Sequence, residues 1–159
     1  MKTKPLTFLL ALTFLFLLSG SVYGGVLQDA DDAYERGNYK ELHRLILLLA
    51  EQGNAKAQYN LGVMYDKGQG VPQDYKEAVK WFRLSAEQGD EIAQYNLGLM
   101  CFYGQGVPQD YVSAHMWFNL SGSNGNKSAI HNRKVVEKKM SKQQIEKAQE
   151  MARNWKPKK

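Results

Sequence analysis

Residues 50–85 read AEQGNAKAQYNLGVMYDKGQGVPQDYKEAVKWFRLS, and residues 86–121 read AEQGDEIAQYNLGLMCFYGQGVPQDYVSAHMWFNLS. The two segments have the same length, and 24 of their 36 positions are identical. A self-match over this length indicates a repeat protein, in which each unit buries its apolar face against the next unit. A repeat of this kind specifies a scaffold, so the function has to be argued from the surface that the scaffold presents.

Each unit predicts two amphipathic helices joined by a turn. In the first copy, apolar residues recur at three- and four-residue spacing within residues 57–65 and again within residues 78–86, as on one face of a helix. Between these stripes, Gly68 suits the left-handed position that follows a helix end, and Pro72 cannot continue a helix. The unit is therefore predicted to be an antiparallel helix pair.

Polar residues stand where the helices are expected to begin. Asn54 and Asp90 directly follow glycines that end the preceding helices, so both are predicted N-caps of first helices. Asp74 is the predicted N-cap of a second helix, with Glu77 three residues later in the capping-box position. These caps divide the chain in phase with its repeat.

Glycines inside the first helices predict close helix crossings. Gly62 and Gly98 occupy equivalent positions, where glycine costs about 1 kcal/mol relative to alanine. Close approach of a neighbouring helix would offset that cost. Aromatic residues recur at one fixed place in each second helix, which favours a packing role over a ligand site; they are Trp81, Phe82, Trp117 and Phe118.

The motifs of the two copies together resemble one known family. With A-E-Q-G opening the unit, A-Q-Y-N-L-G in its first helix, G-Q-G-V-P-Q-D-Y at its turn and A-x-x-W-F in its second helix, the chain resembles the Sel-one-like repeat (SLR) family, a relative of the tetratricopeptide repeats. The resemblance implies an all-α fold, a short right-handed solenoid of antiparallel helix pairs. Such solenoids commonly hold other proteins.

Weaker similarity extends the repeat in both directions. Residues 25–49 predict a shortened first unit that lacks five turn residues, and residues 122–159 predict a degenerate unit followed by a basic capping helix. In that last helix, Ser141 and Gln144 form a predicted capping box. An apolar stripe then runs from Ile145 to Trp155. A terminal helix with one polar face is what a repeat array needs at its end.

The first 24 residues predict a secretory signal peptide. Lys2 and Lys4 precede an apolar run over residues 6–18, which is too short for a spanning helix of about 20 residues. Cleavage is predicted after Gly24 or after Ser21, and an uncleaved signal anchor is the alternative. The sequence thus predicts an exported protein, periplasmic or secreted, without a membrane span after signal cleavage.

Charge is distributed unevenly along the chain. Residues 25–125 carry 8 basic and 13 acidic side chains, whereas residues 126–159 carry 11 basic and 3 acidic ones. A basic end could contact an anionic membrane, nucleic acid or an acidic protein. We favour a solubilising cap, and export argues against nucleic acid as a partner. A surface-associated role for this end on an anionic polymer or membrane remains a rival interpretation.

The sequence contains little that indicates chemistry. Cys101 is the single cysteine; it replaces Tyr65 of the preceding unit and is expected to be buried, so we predict no internal disulfide. The three histidines are scattered, and His43 and His115 share an equivalent place on second helices, where we expect them to face solvent. No metal-binding, cofactor-binding or nucleophile motif is present. The sequence predicts a non-catalytic protein without cofactor or metal.

One enzymatic alternative comes from the family resemblance. Cysteine-rich exported members have been linked to penicillin binding and β-lactamase activity, which implies an exported hydrolase acting on cell-wall or β-lactam substrates. Those members carry paired cysteines in each repeat, and this chain does not. It also lacks an S-x-x-K motif, which such chemistry normally needs.

Four of the first-helix positions that differ between the copies lie on one face of that helix, and the resemblance to tetratricopeptide solenoids implies that this face lines a concave groove. Protein or peptide binding there is the predicted function, with an aromatic centre, an acidic and mixed edge at Asp66 and Lys67, and a basic edge at Lys138 and Lys139. The alternative is that neighbouring helices cover these aromatics. The predicted partner-binding residues are Tyr59, Val63, Asp66, Lys67, Ile92, Tyr95, Leu99, Phe102, Tyr103, His131, Lys138 and Lys139.

Overall fold

A computed structural model describes residues 24–158, which form eight α-helices and no strand. The predicted all-α solenoid of helix pairs is confirmed. The predicted signal peptide lies outside the described residues, apart from Gly24. The helices are α1 (residues 24–35), α2 (Tyr39–Glu51), α3 (Ala55–Lys67), α4 (Tyr75–Glu87), α5 (Glu91–Tyr103), α6 (Tyr111–Ser123), α7 (Lys127–Glu137) and α8 (Lys142–Asn154).

Most helix ends follow the predicted caps. The Asn54 side chain accepts a hydrogen bond from the Ala57 amide at 2.9 Å, and Asp90 caps α5 in the same way. The predicted Ser141–Gln144 capping box is present at the start of α8. At α4 the prediction is wrong in one detail: Asp74 caps the helix, but the Glu77 carboxylate pairs with Lys80 Nζ at 3.1 Å. A lysine one turn further on competes for that carboxylate.

Neighbouring helices pack in sequence order. α3 packs on α4 and α5 packs on α6, while α4 also contacts α5 and α6 contacts α7. α8 packs against α6 rather than against α7. Within residues 24–158, no helix combines the length and the apolar character needed to cross a bilayer.

Glycine and phenylalanine form a repeated crossing in the two central pairs. Gly62 is the eighth residue of α3 and Phe82 the eighth of α4; a Cβ atom added at Gly62 would lie 2.6 Å from the Phe82 ring. Gly98 and Phe118 repeat this arrangement in α5 and α6, at 2.7 Å. The predicted close crossing is confirmed, because the ring occupies the space of the missing side chain. We call this contact the glycine–phenylalanine crossing.

The turns connect successive units. Gly70 has φ +75°, and a Cβ atom there would clash with the backbone carbonyl of Tyr39 at the start of α2. Gly106 has φ +70° and lies in the same way against Tyr75 at the start of α4. Both glycines are needed for their backbone conformation and for this close approach. The turn of each unit therefore sets its position on the unit before it.

The two terminal units lack the glycine–phenylalanine crossing. In the first unit, Asp31 is at the position equivalent to Gly62, and Ile46, the eighth residue of α2, is at the position equivalent to Phe82. In the last unit Lys134 is the eighth residue of α7 and Gln149 the eighth of α8. A lysine at this position cannot let a second helix approach closely. This explains why α8 leaves α7 and packs on α6.

The C-terminal tail fastens α8 to the body of the repeat. After α8, the chain runs back to the end of α4, where the Lys158 amide donates to the Glu87 carbonyl at 2.7 Å. The Lys158 ammonium pairs with the Glu87 carboxylate at 2.8 Å. Ala148 in α8 is fully buried, and Ala152 and Trp155 pack against the central core. The predicted apolar stripe of the capping helix thus faces α6.

Candidate protein-binding face

The predicted partner-binding residues all keep some exposed surface. None of the twelve falls among the buried residues, and two apolar ones are well exposed: Ile92 at 45% and Tyr103 at 63%. The half-buried members are Tyr59, Val63, Asp66, Tyr95, Leu99 and Phe102, and the exposed ones are Lys67, Ile92, Tyr103, His131, Lys138 and Lys139. The face is accessible, and its role in binding stays a prediction.

Side chains of α5 and α7 surround a small depression on this face. Leu99, Phe102 and Tyr103 from α5 meet Asn132 and Val135 from α7 around a cavity of about 60 Å³. The Phe102 and Tyr103 rings stand edge to face with centroids 4.9 Å apart. This cavity is large enough for one or two methyl groups, so it suits an anchor side chain rather than a small-molecule ligand.

Tyr59 and Tyr95 form the inner part of the face. Their rings lie against Phe82 and Phe118, each with a centroid distance of 5.9 Å. Tyr95 Oη accepts a hydrogen bond from Asn132 Nδ2 at 3.3 Å. Burial raises the pKa of the Tyr59 hydroxyl above its ordinary value. These tyrosines cover the glycine–phenylalanine crossings and join successive first helices, so only their outer edges are open to a partner.

A larger groove lies at the N-terminal end of the array. It has a volume of about 610 Å³ and lies between α1 and α3 with α2 as its floor. Of the predicted residues only Val63 lines it. The floor is apolar, with Leu42, Ile46 and Leu49, and Asp31 stands on the α1 wall. The sequence carried one signal for this groove, the replacement of the glycine and phenylalanine of the central units by Asp31 and Ile46.

The charged residues of the predicted set lie at helix ends. Asp66 and Lys67 end α3, and the Asp66 carbonyl accepts a hydrogen bond from Gln73 Nε2 at 2.6 Å in the following turn. Lys138 and Lys139 follow α7 and are exposed. The structure brings the aromatic residues together with α7 and leaves Asp66 and Lys67 on α3, one unit away.

Two buried glutamines were missed in the sequence. Gln58 and Gln94 are 4% and 0% exposed, and their Nε2 atoms donate to the carbonyls of Ala50 and Ala86 at 3.1 and 3.2 Å. Each glutamine is a second donor to a carbonyl at the end of the preceding second helix, which also accepts from the amide of Gly53 or Gly89 in the following turn. Their identity in both copies was the available signal.

The expectation that His115 faces solvent is wrong. Its side chain is 0% exposed, and Nε2 lies 2.9 Å from Glu137 Oε1 at the end of α7. Burial lowers the pKa of His115, and hydrogen bonding to Glu137 partly opposes that shift. His43 is half-buried against the Tyr65 ring. The last unit packs over α6, and the sequence could not show that this contact would cover His115.

Cys101 is buried as predicted. Burial raises the pKa of its thiol to about 11, so almost no thiolate forms near neutral pH. Among residues 24–158, no group of three or more histidine, cysteine, aspartate or glutamate side chains is placed to hold a metal ion.

The geometry defines a class of protein, an α-solenoid of helix pairs with a partly apolar face along its first helices. The family model named Sel1 repeat matches residues 55–90 and 92–126. The chain therefore contains two Sel1 repeats, which confirms the predicted resemblance to the Sel-one-like repeat family over these residues. Proteins of this family generally mediate protein–protein interactions and are generally non-catalytic.

Solved structures support the assignment. A protective antigen present in uropathogenic Escherichia coli strains, which displays an SLR fold, is 33% identical with a TM-score of 0.76 over 82% of this chain and 29% of its own. A Sel1 repeat protein from Oxalobacter formigenes is 35% identical with a TM-score of 0.59 over 60% of this chain and 40% of its own.

A third structure shares the fold alone. Cysteine rich protein B from Helicobacter pylori is 18% identical with a TM-score of 0.56, over 69% of this chain and 92% of its own. The chain spans less than half of the length of the first two structures. No curated protein matches the chain.

Proposed function

We propose that this protein is an exported, non-catalytic adaptor that binds a protein or peptide through the face formed by α5 and α7. The observation that carries the proposal is a row of apolar side chains along one face of α5. Ile92 and Tyr103 are exposed, Leu99 and Phe102 between them are half-buried, and the row ends at a small cavity beside Phe102 and Tyr103. Apolar side chains clustered on one face of a soluble repeat protein favour a docking surface.

The chemistry of the face favours a segment with apolar anchors. The cavity beside Phe102 accepts a small aliphatic group, and the edge-to-face rings of Phe102 and Tyr103 provide a rigid aromatic wall. Lys138 and Lys139 add a cationic border on the α7 side, next to the exposed His131. A peptide with one or two aliphatic anchors and a carboxylate nearby would match both features.

Export is proposed from the leader alone. Residues 1–24 are the proposed signal peptide, with residues 25–49, 50–85 and 86–121 as repeats and residues 122–159 as the closing segment. Mass spectrometry of the protein recovered from cells tests this assignment directly. We expect a mature N-terminus at Val22 or Gly25, and an intact N-terminal Met1 would contradict cleavage.

Site-specific crosslinking tests the binding face. A photoreactive phenylalanine at position 103 is expected to crosslink one partner in the native compartment, whereas the same probe at position 84 is not. Leu84 is a matched control because it is also an exposed apolar residue, at 39%, but lies on the second helix α4. Equal crosslinking at both positions would contradict the proposal.

The affinity of the captured partner provides the second measurement. Ile92→Ser with Tyr103→Ser is expected to weaken binding by at least about tenfold, because interface anchors commonly contribute 1 to 2 kcal/mol each. Leu84→Ser should leave the affinity unchanged. All three side chains are exposed, so thermal unfolding should show the same stability for each variant. Unchanged affinity of the double variant would refute the proposed face.

A further inference from the structure

The open face of α7 lies where the central units place a second helix. In α5, the residues that meet α6 include Gln94, Gly98 and Phe102. The equivalent residues of α7 are Ile130, Lys134 and Lys138, and all three are exposed. Because α8 packs on α6, no second helix covers this side of α7 within the described chain.

This face carries a stripe of three lysines and one histidine. Lys127, His131, Lys134 and Lys138 follow each other at four- and three-residue spacing along α7 and its C-cap, which places them along one side of the helix. None of the four forms an ion pair with a residue between 24 and 158, whereas Glu137 on the same helix is engaged by His115 and Arg133. Ile130, 38% exposed, adds an apolar contact point beside the stripe.

The opposite end of the molecule has the complementary charge. In α1, four of twelve residues are acidic and none is basic; the acids are Asp29, Asp31, Asp32 and Glu35. Asp31 and Glu35 are exposed and lie one helical turn apart. Two large apolar residues of α1 are also exposed, Leu27 at 49% and Tyr34 at 62%. Each end thus combines exposed apolar groups with charged ones, and the charges are positive on α7 and negative on α1.

We propose that the cationic face of α7 binds α1 of a second copy of this chain, so that the protein associates head to tail. The acidic turn of α1 would face Lys134 and its neighbours, and Leu27 or Tyr34 would contact Ile130. The two surfaces differ, so the contact is heterologous and leaves one free end of each kind. Charge complementarity favours this occupant over an anionic lipid surface, which would leave Ile130 and the apolar residues of α1 without a role.

This inference goes beyond the proposed function, and its surface shares only His131 and Lys138 with the proposed adaptor face. Lys127 and Lys134 are not part of the proposed adaptor face, and the exposed anchors Ile92 and Tyr103 lie on α5. Loss of self-association and loss of partner binding can therefore be measured separately. The Ile92→Ser and Tyr103→Ser variants should self-associate normally.

Sedimentation velocity of the protein, purified as cells process it, is the first test. We expect oligomers whose weight-average size grows with protein concentration, and a dissociation constant about tenfold weaker in 300 mM than in 50 mM NaCl because salt screens exposed charges. A single monomeric species up to about 1 mM protein in 50 mM NaCl would overturn the proposal.

Charge reversal at each end provides the decisive test. Lys127→Glu with Lys134→Glu, and separately Asp31→Lys with Glu35→Lys, should each abolish self-association. An equimolar mixture of the two variants should associate again, because each supplies the end that the other lacks. Lys76→Glu is the matched control, an exposed lysine of α4 away from both ends, and should associate as the unaltered protein does.

Three results would contradict the head-to-tail contact. The first is association that persists in both double variants. The second is failure of the mixture to associate while circular dichroism shows that both variants are folded. The third is a monomeric protein that binds vesicles containing anionic lipid through Lys127 and Lys134, which would assign the face to a membrane surface.

Discussion

The two central helix pairs and the two terminal units share a repeat but differ in how their helices meet. In the central pairs, Gly62 and Gly98 leave room for a phenylalanine ring to pack against the first helix. A buried glutamine of the same helix donates a hydrogen bond to a carbonyl at the end of the preceding helix. At the ends, charged residues replace these glycines. The first unit keeps a groove of about 610 Å³, and the last leaves one side of α7 exposed.

This difference shows how a short array is closed. A regular unit offers its neighbour a close-packed surface, and an array of identical units would have an apolar surface at each end. Here Asp31 and Lys134 interrupt the crossing, and α8 with Lys158 returns along α6 to α4. Both terminal units therefore differ from the central ones at the position that forms the crossing.

The largest effect is expected from removing a ring of the glycine–phenylalanine crossing. Phe118→Ala should lower the free energy of unfolding by about 3 to 5 kcal/mol, because a fully buried ring leaves a cavity. The matched change at the eighth position of α8, Gln149→Ala, should cost less than about 0.5 kcal/mol. Chemical denaturation of both variants measures the difference, and similar losses would show that the terminal unit packs as tightly as the central ones.

A smaller loss is expected when the glycine is replaced. Gly98→Ala places a Cβ atom 2.7 Å from the Phe118 ring, and overpacking of this kind costs about 1 to 3 kcal/mol. The higher helix propensity of alanine offsets about 1 kcal/mol of that loss. Lys134→Ala at the same position of α7 should be close to neutral. A stabilising Gly98→Ala would mean that the two helices can separate without cost.

The buried glutamine provides the third test. Gln94→Leu should cost about 1 to 3 kcal/mol, because it removes the buried hydrogen bond from Gln94 Nε2 to the Ala86 carbonyl and takes the Gln94 Oε1 acceptor away from Asn124 Nδ2. The last unit has Ile130 at the equivalent position, so Ile130→Gln serves as the reverse change. We expect that variant to stay within about 0.5 kcal/mol of the unaltered protein. If Gln94→Leu leaves the free energy of unfolding unchanged, the glutamine has no role in joining units.

The smallest effect is expected in the pH dependence of the free energy of unfolding, to which His115 contributes only where the last unit covers α6. Val79 occupies the place of His115 in the preceding unit, so His115→Val restores the central pattern. Burial lowers the pKa of His115 below 6.5 in the folded protein. Between that lowered pKa and 6.5 the unfolded chain binds more protons, so stability falls as pH drops through this window.

Denaturation midpoints at pH 7.5 and 5.5 test this assignment. The unaltered protein should lose stability between the two values, and His115→Val should lose less. His43, whose pKa is also lowered by burial, accounts for the slope that remains. An equal slope in both proteins would show that other groups control the pH dependence.

Local features were predictable from the sequence because they depend on neighbours in the chain. The caps at Asn54 and Asp90, the left-handed Gly68 and the buried Trp81 follow from periodicity and backbone geometry. Part of the candidate face could also be predicted, since Ile92 and Tyr103, two of the variable positions of α5, are exposed. The burial of His115 could not be predicted, because it depends on where a helix of the last unit lies. For the N-terminal groove the sequence held one signal, Asp31 and Ile46, which does not show where α1 and α3 lie.

The sequence by itself determined the unit, its helix pair and the order in which units follow, since a 36-residue self-match fixes which side chains must be apolar. The tertiary structure alone decided how the array ends. Whether α8 pairs with α7 or returns to α6 depends on whether a second helix can approach Lys134, and on the burial that Ala148 gains against α6. Both are contacts between different helices of the array, and the spacing of residues within one repeat does not predict them.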